Sequence, residues 1–166
     1  NFNGNKFSIE ALKKGAKYSI IDEYQKETKN NNKLILVNDV LECLKELANF
    51  HRKKIKTKII ALTGSNGKTT TKELIKLILE KKFKTIATKG NLNNHIGVPL
   101  TILNIPKDTE VGIIEMGANH KGEIKNLCKI AMPDWGYITN FGKAHLEGFK
   151  NLKGVSKVNP KRGKNL

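Results

Sequence analysis

The feature that most constrains the fold is a glycine-containing motif, Gly64-Ser-Asn-Gly-Lys-Thr-Thr, between an apolar run and an amphipathic segment. The run 59–63 has the length and composition of a buried strand, and the segment after the motif has helical spacing. In a strand–loop–helix unit, the loop N–H groups and the helix N-terminus all face an anion. Lys68 can then reach outer phosphate groups, and the Thr69 hydroxyl can ligate Mg²⁺. The motif therefore predicts a phosphate-binding loop.

This loop is a shorter variant of the common phosphate loop. The common form has a glycine five positions before Gly67, where this chain has Leu62. A glycine turn that arose by chance is the alternative, and the strand and helix on either side favour phosphate binding over it. The residues predicted to bind the phosphates are Gly64, Ser65, Asn66, Gly67, Lys68, Thr69 and Thr70.

Apolar segments of strand length alternate with helical patterns in the second part of the chain. This alternation predicts an α/β fold in which a parallel sheet is flanked by helices. A smaller α/β unit is predicted before it, with a short helix between an N-cap at Ser8 and Gly15, and a later helix capped by Asn38. The predicted strands are 18–21, 33–37, 59–63, 84–88, 111–116 and 136–139, and two helices are predicted after the phosphate loop, one that continues to about residue 82 and one around 122–131.

The strongly basic composition raises the question of nucleic-acid binding. The chain has 31 Lys and Arg against 15 Asp and Glu, a formal net charge of +16. Only Arg52 and Arg162 are arginines, and Trp135 is the single tryptophan. Surfaces that read bases favour Arg, and single strands are bound by stacked aromatic side chains. We therefore expect no nucleic-acid partner, and a basic P-loop protein that binds nucleic acid is the alternative from a different class.

The remaining composition predicts a cytoplasmic globular protein. A hydrophobic fraction of 38% suffices for a packed core, and no apolar run is long enough to predict a membrane span. No signal pattern of basic residues followed by apolar ones is found. Cys43 and Cys128 lack the spacing of metal ligands, so they are interpreted as reduced thiols. The protein is expected to be a monomer.

Polar residues follow the predicted strands at three further points. Glu115 lies near the end of the strand 111–116, at the sheet edge where the phosphate loop is also expected, and a carboxylate there suits Mg²⁺. Short amides follow the strand 84–88, and His145 follows the last predicted strand. A solvated strand-end glutamate, a surface turn and a structural histidine are the respective alternatives, and composition alone leaves them open. The amides are Asn91, Asn93 and Asn94.

Four motifs, taken in order, resemble the Mur ligase family. They are G-S-N-G-K-T-T, K-G-N-L-N-N-H-I-G-V-P-L-T, E-M-G-A-N-H-K-G-E-I and T-N-F-G-K-A-H-L-E-G-F, and the resemblance extends over nearly all of residues 3–158. Folylpolyglutamate synthases share the shorter nucleotide loop but not the asparagine-rich block. A ligase of that type, or another Mur-type ligase, is the alternative within the same class. The resemblance implies an ATP-dependent, amide-forming ligase of peptidoglycan precursor synthesis.

The resemblance also implies substrates and residue roles. The expected substrates are UDP-N-acetylmuramoyl-tripeptide, D-alanyl-D-alanine and ATP, with Mg²⁺ as the metal. ATP would phosphorylate the terminal carboxylate of the tripeptide, and the dipeptide amine would attack the resulting acyl phosphate. The implied catalytic residues are Lys68, Glu115 and His145, the metal ligands are Thr69, Glu115 and His145, the nucleotide neighbour is Asn140, and the residues near the muramoyl substrate are Asn91, Asn93 and Asn94.

The family pattern implies three domains, and we expect this chain to hold two of them in part. Residues 1–54 would end the N-terminal UDP-sugar-binding domain, residues 55–158 would begin the central ATP-binding domain, and the C-terminal domain would be absent. In the tail 159–166, Asn159 stands where the family has a carbamylated lysine that bridges metal ions. A single-base deletion in adenine-rich codons would convert Lys-Ser-Glu into this Asn-Pro-Lys, and true divergence is the alternative. We expect such a fragment to be inactive in ligation.

Overall fold

The computed structural model of the chain describes residues 3–24 and 31–140. These residues form two compact units, of which the first ends at Leu44 and the second begins at Lys45. This division lies earlier in the chain than the predicted domain boundary at residue 54.

The first unit contains two short helical segments and two strands. A 3₁₀ turn, Gly4–Phe7, leads directly into helix α1, Ser8–Lys13. Strand β1, Ser19–Ile21, pairs in parallel with strand β2, Leu34–Leu36. The predicted N-cap at Ser8 is wrong, because the chain is already helical before it and Ser8 is the first residue of α1. Gly15 follows α1 with a φ of +103°, in agreement with its predicted place just after the helix.

Helix α2 spans Val40–Lys54. The predicted cap at Asn38 is wrong by one position, because the Asp39 carboxylate is the group that accepts a bond, at 2.9 Å, from the Glu42 N–H. That bond satisfies one of the N–H groups left without a partner at a helix start.

The second half of α2 belongs to the second unit. The Asn49 amide donates to Lys129 O at 2.9 Å, and the Arg52 guanidinium donates to Ala131 O at 2.8 Å. Both carbonyls lie in the last turn of a later helix, where backbone oxygens lack partners within the helix. These bonds explain why the two units divide before residue 54.

The second unit is a parallel sheet flanked by helices, which confirms the predicted α/β class. In space, its strands follow the order Thr85–Ala87, Val111–Glu115, Lys58–Thr63 and Trp135–Ile138, and each described pairing is parallel. Within the described residues, no helix is both long and apolar enough to cross a bilayer. The strands are β3, Lys58–Thr63, β4, Thr85–Ala87, β5, Val111–Glu115, and β6, Trp135–Ile138, and the helices are α3, Lys68–Leu79, α4, Gly97–Leu103, and α5, Glu123–Ala131.

The two central strands bring the site together. All five positions of β5 are buried, which is typical of a parallel strand covered on both faces. In β3, Ile59 and Leu62 are also fully buried. The register pairs Leu62 with Glu115, so the end of β5 lies beside the point where β3 enters the phosphate loop.

The sequence does not predict helix α4, because the asparagine-rich segment before it has the composition of a turn. Pro99 lies in its first turn, where a missing N–H and a fixed φ are compatible with a helix. The Asn94 side chain accepts bonds from the N–H groups of Ile96 and Gly97. Val98 and Ile102 are fully buried, so tertiary packing stabilises a helix that the local composition does not indicate.

Candidate nucleotide and metal site

The phosphate-loop motif forms the turn between β3 and α3, as predicted. Gly64 has a φ of +140°, and Gly67, which immediately precedes α3, has a φ of +74°. Residues with side chains rarely adopt either conformation, so both positions favour glycine. The first N–H groups of α3 have no partner within the helix, and together with the helix dipole they favour an anion at this turn.

Lys68, the first residue of α3, extends back across the loop. Its Nζ donates to Gly64 O at 2.8 Å and to Ser65 O at 3.4 Å. The loop carbonyls therefore hold the ammonium group above the turn that the sequence assigns to phosphates. A bound phosphate could replace these two carbonyls as the partner of the Lys68 ammonium group.

Glu115 lies beside the loop, and its side chain is almost completely buried. The Thr69 hydroxyl donates to Glu115 Oε2 at 3.1 Å, and the Asn93 amide donates to Oε1 at 2.9 Å. Residues from three separate motifs thus meet at one carboxylate. The sequence predicts that Thr69 and Glu115 lie at the same edge of the sheet, and in the structure their side chains are hydrogen-bonded.

Lys72 also contacts this cluster, although the sequence does not single it out. Its side chain is 1% exposed, and its Nζ lies 2.7 Å from Thr88 O and 3.8 Å from Glu115 Oε2. Thr69 and Lys72 are three positions apart in α3, so they share one face of the helix. That spacing is the signal in the sequence that could have identified Lys72.

Asn140 contacts the loop through Asn66. Its Oδ1 accepts a bond from the Asn66 N–H at 3.0 Å, and its Nδ2 donates to Asn66 O at 3.2 Å. The Thr139 hydroxyl donates to the same carbonyl at 2.6 Å. The chain after β6 therefore holds the loop by its backbone, and the direct contact of Asn140 with a nucleotide stays a prediction.

The three asparagines predicted near the substrate differ in their environments. The Asn93 side-chain amide donates to Glu115, and the Asn93 backbone carbonyl accepts a bond from the Gly117 N–H at 2.8 Å. Asn94 caps α4, and Asn91 is exposed. All three follow β4, at the same edge of the sheet as the phosphate loop. Their contact with a substrate stays a prediction.

The remaining predicted site residue, His145, lies outside the described residues. Its predicted metal role is therefore carried forward as a proposal.

The donor set beside the loop is compatible with Mg²⁺. The Thr69 hydroxyl and the Glu115 carboxylate supply oxygen ligands, which Mg²⁺ prefers. Residues 3–24 and 31–140 contain no group of three or more His, Cys, Asp or Glu side chains that could hold a metal by themselves. Mg²⁺ is usually bound through one or two carboxylates together with substrate phosphates. The site therefore suits a metal that binds with a nucleotide.

A parallel sheet that carries a phosphate loop and a buried carboxylate at one edge defines a P-loop nucleotide-binding domain. A family model described as the Mur ligase middle domain matches residues 62–160. The chain belongs to the Mur ligase family.

Relatives of known name and structure agree with this membership. A UDP-N-acetylmuramoyl-tripeptide–D-alanyl-D-alanine ligase from Bacillus subtilis is 39% identical over 157 residues, which cover 95% of this chain and 34% of the relative. A MurF structure from Acinetobacter baumannii has a TM-score of 0.86 at 35% identity and covers 95% of this chain and 34% of its own. A MurF ligase from Thermotoga maritima, solved in complex with ADP, has a TM-score of 0.84 at 37% identity over 95% of this chain and 36% of its own. This chain spans about a third of the length of these relatives.

Proposed function

We propose that this chain forms the ATP-binding part of a ligase that joins D-alanyl-D-alanine to UDP-N-acetylmuramoyl-tripeptide. The Bacillus subtilis relative carries the name of that reaction, and the Thermotoga maritima relative was solved with ADP. The observation that carries the proposal is the bond between Thr69 and Glu115. It joins a phosphate loop to a buried carboxylate, which is the arrangement that Mg²⁺–nucleotide binding needs.

The loop residues Gly64–Thr70 would surround the phosphates with backbone N–H groups. Lys68 would leave its carbonyl partners and stabilise the charge that develops on the transferred phosphoryl group. Thr69 and Glu115 would hold Mg²⁺, which supplies further neutralisation of phosphate charge when it is bound. We also propose His145 as a second metal ligand and Asn140 as a neighbour of the nucleotide.

The proposed reaction has two steps. The terminal carboxylate of the tripeptide attacks the γ-phosphorus of ATP, which forms an acyl phosphate and releases ADP. The D-alanyl-D-alanine amine then attacks the acyl carbon, loses a proton and displaces inorganic phosphate, which forms the amide bond.

The same proposal covers the substrate-binding residues, the first unit, the cellular location and the oligomeric state. Asn91, Asn93 and Asn94 would line the muramoyl substrate, because they lie at the edge of the sheet that carries the loop. The residues up to Leu44 would belong to the UDP-sugar-binding domain. We place the reaction in the cytoplasm and expect a monomeric protein.

A chimeric enzyme tests the proposed reaction. Residues 45–140 of this chain replace the aligned stretch of the Bacillus subtilis relative, because this chain spans only a third of that protein. We expect ADP release that requires both UDP-N-acetylmuramoyl-tripeptide and D-alanyl-D-alanine. The same chimera with Lys68→Ala is the control, and its ADP release should fall to background. A folded chimera that releases ADP equally well without D-alanyl-D-alanine would contradict the proposal.

A further inference from the structure

Lys72 presents a buried positive charge next to the candidate metal carboxylate. Its Nζ donates to Thr88 O at 2.7 Å and lies 3.1 Å from Glu73 Oε1 and 3.8 Å from Glu115 Oε2. The Lys72 side chain is 1% exposed and that of Glu115 is 2% exposed, whereas the Glu73 side chain is 51% exposed. Water screens the interaction with Glu73, so the less screened interaction is the one with Glu115.

A role in packing alone does not explain a charge at this position. Burying an ammonium group is unfavourable, and an apolar side chain of similar volume often supports a fold equally well or better. The bond to Thr88 O needs a donor but not a positive charge. The positive charge of Lys72 therefore acts on its two neighbouring carboxylates, of which Glu115 at 3.8 Å is buried and Glu73 at 3.1 Å is half exposed to water.

The geometry around Glu115 fixes both carboxylate oxygens. Oε1 accepts from Asn93, and Oε2 lies between the Thr69 hydroxyl at 3.1 Å and the Lys72 ammonium at 3.8 Å. Thr69 and Lys72 come from the same face of α3, so the helix places one neutral donor and one cation against the same oxygen. Without the cation, a buried carboxylate would retain neutral donors only.

We propose that Lys72 is a positioning residue, whose charge holds the Glu115 carboxylate in the orientation in which it and Thr69 can share a divalent cation with a nucleotide. The inference rests on the proposed function, because it assumes that the loop binds a nucleotide with Mg²⁺. Lys72 itself would touch neither the nucleotide nor the metal.

A double-mutant cycle between Lys72 and Glu115 tests this role. The affinity of the 166-residue chain for ADP is measured by calorimetry with Mg²⁺ and with EDTA, and the ratio of the two affinities gives the gain due to Mg²⁺. Lys72→Met keeps an unbranched side chain that is one atom shorter and removes the charge. We expect it to lower the gain by about tenfold or more, as is usual when a residue that orients a metal ligand is lost. In the Glu115→Gln background, the same substitution should change the gain by less than about twofold, because the carboxylate it acts through is gone.

Two further variants separate charge from packing. Lys72→Gln keeps a donor for Thr88 O, and we expect it to lose the gain as Lys72→Met does. Lys76→Met, one turn further along α3, removes a half-buried lysine that pairs with Glu80, and we expect it to keep the gain. Urea unfolding of each variant confirms that it is folded before its affinity is interpreted.

The outcomes distinguish this inference from the proposed function. An Mg²⁺ gain that Lys72→Met leaves unchanged or increases would overturn the positioning role, and so would an equal effect of Lys72→Met with and without Glu115. If neither Lys72→Met nor Lys72→Gln folds, the ammonium is needed for folding and the positioning role is also overturned. If the unmodified chain binds no ADP, the proposed function and this inference both fail.

Discussion

The shape of the phosphate loop depends on the absence of a side chain at Gly64. A Cβ at this position would overlap the Thr139 hydroxyl and approach the backbone N of Asn140 to 3.1 Å. The φ of +140° is also strained for any residue with a side chain. Because Gly64 lies so close to Thr139 and Asn140, these two residues can bond to Asn66 O. The shape of the loop and the position of β6 therefore depend on each other.

Gly64→Ala should therefore destabilise the protein through both overlap and backbone strain. Backbone strain of this kind costs about 1–3 kcal/mol, and the overlap adds to it, so we expect a loss of about 3 kcal/mol or more in the free energy of unfolding. Gly122→Ala is the matched control, because its φ is +93° but no atom lies within 4 Å of the added Cβ. Denaturant unfolding measures both variants, and a loss at Gly64 no larger than the loss at Gly122 would show that the contact with Thr139 is unimportant.

At the scale of single elements, the junction between α2, β3 and the start of β6 is organised around Asp134. Its carboxylate accepts bonds from the Ile59 N–H, from Lys58 Nζ and from the Arg52 guanidinium, each at 2.9–3.0 Å. Burial alone would raise the pKa of Asp134, but the Ile59 N–H bond and the charges of Lys58 and Arg52 outweigh it. The pKa is therefore lower than its ordinary value of 3.8. Folding thus favours the ionised form of this side chain.

Asp134→Asn should destabilise the protein in a way that depends on pH. Because the folded-state pKa is lowered, the contribution of the carboxylate is complete above the unfolded pKa of about 4 and is lost as the pH falls through the folded pKa. We expect the variant to be less stable than the unmodified chain by about 1–3 kcal/mol at pH 6, and this difference should shrink below pH 4. Guanidinium unfolding at several pH values measures it. A difference that is constant from pH 6 to pH 3 would mean that the charge of Asp134 does not stabilise the fold.

Helix α4 shows why local composition fails for one element of this fold. The segment around Asn94 and Gly97 has the residues of a turn, and Asn94 does use its side chain to bond nearby N–H groups. Those bonds cap a helix here, because Val98 and Ile102 can be buried against the rest of the second unit. Burial of these side chains depends on residues distant in sequence, and periodicity over seven residues is too short to indicate it.

At the scale of the whole molecule, the parts that the sequence predicts are those that depend on local chain geometry. The strand, loop and helix around Gly64–Thr70 follow from backbone chemistry, and the place of Glu115 follows from the shared edge of parallel strands. Lys72 was not predicted, because a lysine within an amphipathic helix is normally solvated and its partners Thr88 and Glu115 are remote in sequence. The three-residue spacing of Thr69 and Lys72 places both side chains on one face of α3, but only the assembled sheet brings that face to Thr88 and Glu115.

The central claim is that the loop of this chain binds a nucleotide through its phosphates. Calorimetric titration with Mg²⁺ and ADP tests it most directly, with the unmodified chain, Lys68→Ala, and Lys76→Ala as the matched lysine on the same helix. We expect saturable binding by the unmodified chain and by Lys76→Ala. Loss of a charged bond to phosphate should weaken binding by Lys68→Ala by about 10- to 100-fold. Equal affinity of the unmodified chain and Lys68→Ala would contradict the claim.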